Sequence, residues 1–188
     1  MYNRERLMEL FRENEALKFG EFTLASGRKS TYFMDGKLVT LHSEGLRLVC
    51  EGLFELLDDL DYDSVGGMSM GADPIVAGML TMGTERKKEL RGYLVRKEPK
   101  GRGTNKFVEG PLRTGSKTVV IDDVVTTGGS AIVSAERLIE VGCEVVCIVG
   151  IVDRLEGGAQ NFAEKGFLSR SLLTIEDFGI APPEDVAV

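Results

Sequence analysis

Apolar positions along this 188-residue chain switch between two spacings. Leu7, Leu10, Phe11 and Leu17 recur near helical spacing among charges, which predicts an amphipathic helix within residues 2–18. Residues 20–41 differ: Phe22, Leu24, Tyr32, Phe33 and Leu38 alternate loosely around Ser26-Gly27-Arg28-Lys29-Ser30, predicting short strands about a turn. Helical spacing returns at Leu46, Val49, Leu53, Leu56, Leu57 and Leu60, with Ser43 as the candidate N-cap. From there short apolar runs predict strands at 64–68, 93–95, 118–121, 145–152 and 167–175. Between them lie a helix opened by Asp73-Pro74, a charged glycine-bearing loop over 97–113, and a helix over 130–141 ended by Gly142. Asp73 is expected to cap its helix through the carboxylate. Strands alternating with helices predict an α/β fold: a mainly parallel central sheet flanked by helices, with a small N-terminal hood built largely from residues 20–41. Nothing divides residues 1–188 into more than one domain, and Ala181-Pro182-Pro183 begins a flexible polar tail over 181–188.

Composition narrows the class. The chain is 43% hydrophobic and 28% charged, enough for one packed core, and its net charge of -7 argues against a general nucleic-acid or anionic-membrane binder. The charge is uneven: Arg96, Lys97, Lys100, Arg102 and Lys106 stand against Glu98 alone in residues 96–106. A basic segment in an acidic protein suits a small, strongly anionic ligand. Cys50, Cys143 and Cys147 are too few and too irregular for a disulfide framework or zinc site, and read as reduced core residues. With no signal-like N-terminus and no apolar run near the ~20 residues of a membrane span, a cytoplasmic location is expected.

The chemistry concentrates in Thr118-Val119-Val120-Ile121-Asp122-Asp123-Val124-Val125-Thr126-Thr127-Gly128-Gly129-Ser130. An apolar strand runs into two carboxylates, then a loop of small hydroxyl and glycine residues, then a helix start. Backbone N–H groups in such a loop, backed by a helix N-terminus, cradle phosphate. The carboxylates can take sugar hydroxyls or a hydrated divalent cation. Neither a Walker loop nor a Gly-x-Gly-x-x-Gly fingerprint is present. Just upstream, Arg96-Lys97-Glu98-Pro99-Lys100-Gly101-Arg102-Gly103 offers cations that can grip pyrophosphate by charge-assisted hydrogen bonds, on a backbone that glycines make mobile.

The first of these segments resembles the 5-phosphoribosyl-1-pyrophosphate motif of type I phosphoribosyltransferases. The second resembles the catalytic loop of the orotate phosphoribosyltransferases. Agreement extends to residues 22–30 with Tyr32-Phe33, to residues 66–74, and to Val152-Asp153-Arg154, so the resemblance covers roughly residues 5 to 175. It implies transfer of the phosphoribosyl group to orotate with loss of pyrophosphate, giving orotidine 5′-phosphate for pyrimidine (UMP) synthesis. It implies Mg2+, held mainly through substrate and water with Asp122 and Asp123 nearby. It places Asp122 and Asp123 at the ribose hydroxyls, and the loop from Val124 and Val125 through Thr126, Thr127, Gly128, Gly129 and Ser130 around the 5-phosphate. Lys97 falls in the chain's own site, while Arg96 and, on a mobile loop at 97–110, Lys100 and Arg102 reach the partner's site in a homodimer with shared active sites. Lys100, Arg102 and Asp123 are the implied catalytic residues. Lys29, Phe33, Thr126 and Arg154 are the implied orotate contacts.

Two positions depart from the family pattern. Arg102 stands where histidine is usual; it keeps a positive charge but cannot readily give up a proton. Ala25 stands where some relatives carry lysine, which Lys29 would replace. The residues alone also allow a surface ion pair of Arg154 with Asp153 or Glu156. Two other functions stay open: a phosphoribosyltransferase for another base, and a non-catalytic sensor of the sugar pyrophosphate.

Overall fold

The computed structural model describes residues 2–23, 29–99 and 106–182. Helix α1 (Arg4–Glu13) is capped by the Asn3 side chain, which accepts from the Arg6 N–H at 3.0 Å, and it buries Leu7, Leu10 and Phe11. Leu17 opens strand β1 (Leu17–Thr23) instead of extending the helix. Strand β2 (Lys29–Met34) pairs with β1 antiparallel, with a register shift between Phe19 and Phe22. A one-turn helix α2 (Lys37–Thr40) follows, in a stretch whose loose alternation predicted strand. Four residues are too short for a helical period to register in the sequence.

Helix α3 (Ser43–Leu56) starts one residue earlier than a Ser43 cap requires: His42 is the N-cap and no side chain caps it. The helix stops before Leu60. Strand β3 (Ser64–Met68) is buried along its whole length. Helix α4 (Asp73–Glu85) has proline in its first turn, but Ala72 is its N-cap. The Asp73 carboxylate accepts the Ser69 hydroxyl at 2.8 Å rather than capping. Strands β4 (Arg91–Val95) and β5 (Val108–Glu109) pair antiparallel, so the expected loop over 97–113 contains a short edge strand.

Strand β6 (Lys117–Val125) runs well past residue 121. Its pairing with β7 (Glu144–Asp153) continues through Asp122 opposite Gly150 and Val125 opposite Asp153, whereas its pairing with β3 ends at Gly67 opposite Ile121. Both carboxylates therefore lie within a strand, on a stretch whose β3-side edge is open. Helix α5 (Gly129–Glu140) joins β6 to β7. Helix α6 (Gly158–Glu164), strand β8 (Ser169–Thr174) and a 3-10 turn at Ile175–Phe178 complete the chain. Cys147 sits in β7, while Cys143 precedes that strand; both are buried, as is Cys50.

The main sheet has six strands in the order β5-β4-β3-β6-β7-β8, parallel except for β5. Alternate side chains feed two cores. Val119, Ile121, Val149 and Ile151 pack with α1, α3 and α4 on one face. Val120 and Ile148 pack with Ala131, Ala135 and Leu138 of α5 on the other. This double burial explains why β6 and β7 read as unbroken apolar runs. Strand order reverses between β3 and β6, and ligands of open parallel sheets bind at the carboxyl end of such a reversal. Among the described residues, no helix is long and apolar enough to cross a membrane.

Candidate active site

At that reversal lies a cavity of about 210 Å3 lined by Lys37, Met68, Ser69, Met70, Gly71, Lys97, Asp122, Asp123 and Ser130. A second hollow of about 460 Å3 shares Ser69, Met70 and Lys97 with it and adds Arg96 and Glu98. Together they form one cleft, acidic at the strand end and basic at the loop. Another cavity, about 390 Å3, lies between α3 and α4, where Leu46, Cys50, Ala77, Gly78 and Met82 supply a mainly apolar wall. Ser43, Arg47, Thr81 and Glu85 also line it, but paired carboxylates and a run of cations meet only in the acidic and basic cleft among these cavities, so the chemistry belongs there.

Burial is the main cause that pushes the Asp122 carboxyl up to about 7, with the Asp123 charge adding to it and Lys97 opposing. Asp123, whose side chain is 14% exposed, is also raised, first by burial, with Lys37 pulling it down. Lys37 Nζ lies 2.5 Å from Asp35 Oδ1 and 4.0 Å from Asp123 Oδ2. Burial alone would lower the Lys37 ammonium, but the Asp35 hydrogen bond and the two carboxylate charges outweigh it and raise it. Two half-buried carboxylates side by side in a polar hollow are suited, when ionised, to hydroxyl donors or a hard cation.

The loop after β6 is shaped by close packing. Gly128 is the N-cap of α5 at φ +78, and a Cβ there would lie 2.4 Å from the Phe162 ring. The Thr127 carbonyl accepts from Asn161 Nδ2 at 2.8 Å, which ties the loop to α6. Ser130, in the first turn of α5, reaches the cavity. A helix N-terminus behind a tight loop favours phosphate. Gly71 closes the floor: a Cβ on it would lie 2.3 Å from Asp123 Oδ1.

The structure brings Lys97, Asp122, Asp123 and Ser130 together, with Val124 and Val125 ending β6, Thr126 to Gly128 in the turn beyond and Gly129 opening α5. Arg96 sits at the basic end, 44% exposed and 3.6 Å from Glu109. Lys100 and Arg102 lie outside the described residues, as do Ala25 and the turn at 24–28, the side chain of Lys29, and residues 183–188. Phe33 faces Phe22, ring centroids 5.7 Å apart, and is 43% exposed. Strand alternation gives Tyr32 the opposite face, and Tyr32 rather than Phe33 meets Arg154. Arg154 does pair with Glu156, at 2.8 Å, but both side chains are buried, so this is no surface pair.

Sequence reasoning assigned no role to Lys37, Ser69, Gly71 or Arg137. Arg137 reaches from α5 to the base of the basic segment, donating to the carbonyls of Arg96 and, at 3.4 Å, Lys97, with its guanidinium 3.9 Å from the Phe107 ring centroid. Arg137→Ala is expected to speed amide exchange at Arg96, whose N–H donates to the Phe107 carbonyl at 2.8 Å, by about tenfold. Residue-resolved exchange checks this; unchanged protection would mean that β4 and β5 alone hold the segment.

Known proteins place this geometry in a family. The phosphoribosyl transferase domain model matches residues 85–182. An orotate phosphoribosyltransferase of Rhodopirellula baltica is 45% identical over 176 residues, covering 90% of this chain and 91% of that protein. The phosphoribosyltransferase structure from Corynebacterium diphtheriae has a TM-score of 0.83 at 36% identity, covering 94% of this chain and 98% of that one. The Mycobacterium tuberculosis H37Rv orotate phosphoribosyltransferase in complex with 5-phospho-alpha-D-ribosyl 1-diphosphate gives 0.79 at 33% identity, covering 94% and 99%. With the acidic strand end, the phosphate-type loop and the basic segment on one cleft, and with relatives of this similarity along nearly its whole length, the chain belongs to the orotate phosphoribosyltransferases.

Proposed function

We propose that this chain is an orotate phosphoribosyltransferase that uses one cleft for both ends of the sugar substrate: Asp122 and Asp123 at the ribose hydroxyls, residues 126–130 at the 5-phosphate, and Lys97 at the pyrophosphate. The observation carrying this reading is the polarity of the cleft, with the half-buried carboxylates of Asp122 and Asp123 at one end and Arg96 and Lys97 at the other. Orotate's ring nitrogen attacks the anomeric carbon, the carbon–oxygen bond to pyrophosphate breaks, and its electron pair leaves with pyrophosphate. Lys97 lies where that negative charge builds, so it lowers the barrier rather than only binding. No side chain in the cleft needs to become a covalent nucleophile. The chain's work is to align the two reactants and keep water out.

The oxygen-rich donors Asp122 and Asp123 fit Mg2+, a hard ion usually bound by one or two carboxylates together with substrate phosphates and water. Such an ion, held near these carboxylates mainly through substrate, would neutralise pyrophosphate charge. Thr126 and Arg154 stand as the orotate contacts, with an arginine fork matched to the orotate carboxylate.

The testing experiment is orotate consumption by the purified protein with the sugar pyrophosphate and Mg2+, against uracil, hypoxanthine and no-base controls. Turnover with orotate and release of pyrophosphate is expected. Binding of the sugar pyrophosphate without turnover of any base would replace the enzyme reading with a sensor.

A homodimer with shared sites is part of the same proposal. Mixing an inactive Lys100→Ala chain with an inactive Asp123→Asn chain should restore up to about a quarter of wild-type activity, because one site in a mixed dimer is intact while homodimers of either kind are dead. No recovery after verified subunit exchange would end the shared-site model.

A further inference from the structure

We propose that Glu156 is a positioning residue for the transfer reaction, holding Arg154 in the one orientation that presents its remaining donors to the base. The inference rests on the orotate reading of Arg154 and adds a residue to it. Arg154 and Glu156 are 4% and 3% exposed, and Arg154 Nη2 lies 2.8 Å from Glu156 Oε1. The same nitrogen donates to Ser30 Oγ at 3.3 Å, and Nε donates to the Tyr32 hydroxyl at 3.0 Å. The guanidinium carbon is 4.4 Å from the Tyr32 ring centroid. Ser30 is itself fixed, its hydroxyl donating to the Tyr32 carbonyl at 2.6 Å. The hood strand β2 and the turn after β7 thus grip one side chain from two sides.

Backbone geometry sets up the pair. The Asp153 carboxylate accepts the Leu155 N–H at 2.8 Å, and Leu155 adopts φ +55, an uncommon left-handed conformation for a branched apolar residue. That turn brings the side chains on either side of Leu155 together. Arg154's own N–H donates to the Val125 carbonyl at 2.9 Å, which anchors it beside Thr126 at the end of β6. Stability alone does not account for such a pair, because well-packed apolar residues commonly do as well or better in its place. A guanidinium cannot shed its charge when buried, so a cation kept here for an anionic substrate needs an anion that stays when the substrate leaves. Glu156 supplies it, and fixes the fork's plane before orotate arrives. That preorganisation matters because a displacement of about 1 Å in a positioning group can cost roughly a hundredfold.

Separate KM values for orotate and for the sugar pyrophosphate test this, together with melting temperature. Glu156→Ala should raise the orotate KM at least tenfold and leave the sugar-pyrophosphate KM within twofold. Glu156→Gln, which can still accept from Nη2 but lacks the charge, should recover part of the loss. Tyr32→Phe removes only the Nε acceptor and should raise the orotate KM several-fold, so it serves where the alanine variant does not fold. An unchanged orotate KM in folded Glu156→Ala, or in Tyr32→Phe where the alanine variant does not fold, or equal rises in both KM values, would overturn the positioning role. Wild-type protein that does not turn over orotate would overturn the functional reading itself, a separate outcome.

Discussion

Asp122→Asn is expected to make the protein more stable at pH 8 while removing most of its activity. The folded carboxyl titrates at about 7, against roughly 3.9 for a carboxyl in an unfolded chain. Between those values the folded state binds more protons than the unfolded state, so the contribution of Asp122 to stability falls as pH rises. That contribution is full below about pH 4 and is gone above about pH 7. Asparagine keeps the shape and removes the ionisation, so its melting temperature should exceed that of the wild type at pH 8, by a margin worth about 1–3 kcal/mol. The two curves should converge toward pH 4. Turnover should drop by about a hundredfold or more, because an amide accepts ribose hydroxyls less strongly and carries no charge for a cation. Melting curves from pH 4 to 8 with steady-state rates decide it. A less stable variant at pH 8 would mean that the Asp122 carboxylate is already compensated by partners in the fold.

Gly71→Ala should also lose most of its activity, but at nearly ordinary stability. The added methyl would stand 2.3 Å from Asp123 Oδ1 and 2.9 Å from its Cγ, so the carboxylate must swing away. The obstacle is the end of a side chain facing the cavity, and it can move at a cost near 1 kcal/mol. Catalysis is less forgiving: a reacting geometry displaced by about 1 Å loses on the order of a hundredfold. The check is kcat alongside melting temperature. Activity within a few-fold of wild type would show that the placement of Asp123 matters little.

The most readable parts of the sequence were those whose meaning is local. Asp122, Asp123 and the loop to Ser130 are contiguous, so strand, carboxylates and turn declared themselves in one run. The parallel sheet followed from apolar runs that both of its faces require. Lys37 and Gly71 were silent because their roles come from distant pairing. Lys37 reaches Asp123 only once the hood is folded over the sheet, and Gly71 meets it only because the β3–β6 pairing ends at Gly67 opposite Ile121 while β6 continues. The carboxylates themselves hid the true length of β6, since charge in a strand reads as its end unless one edge is open to a cavity. β5, α2 and α6 were too short to display a period. The Arg154 and Glu156 pair was visible in spacing, but its burial depended on Ser30 and Tyr32, more than a hundred residues earlier in the chain.

Strand β3 sits in the middle of the sheet, between β4 and β6, yet it is made early and β6 late. During synthesis, β3 can pair with β4 soon after both emerge, but its other edge stays bare until residues 118–121 appear. A nascent chain therefore carries a half-paired strand that the finished fold buries along its whole length while the intervening residues are added, the kind of edge on which chaperones and misassembly compete. Arrival of β6 closes that edge and delivers Asp122 and Asp123 in the same event. The acidic end of the cleft therefore cannot form before that edge is covered, which makes substrate binding a reporter of β6 docking in newly made protein.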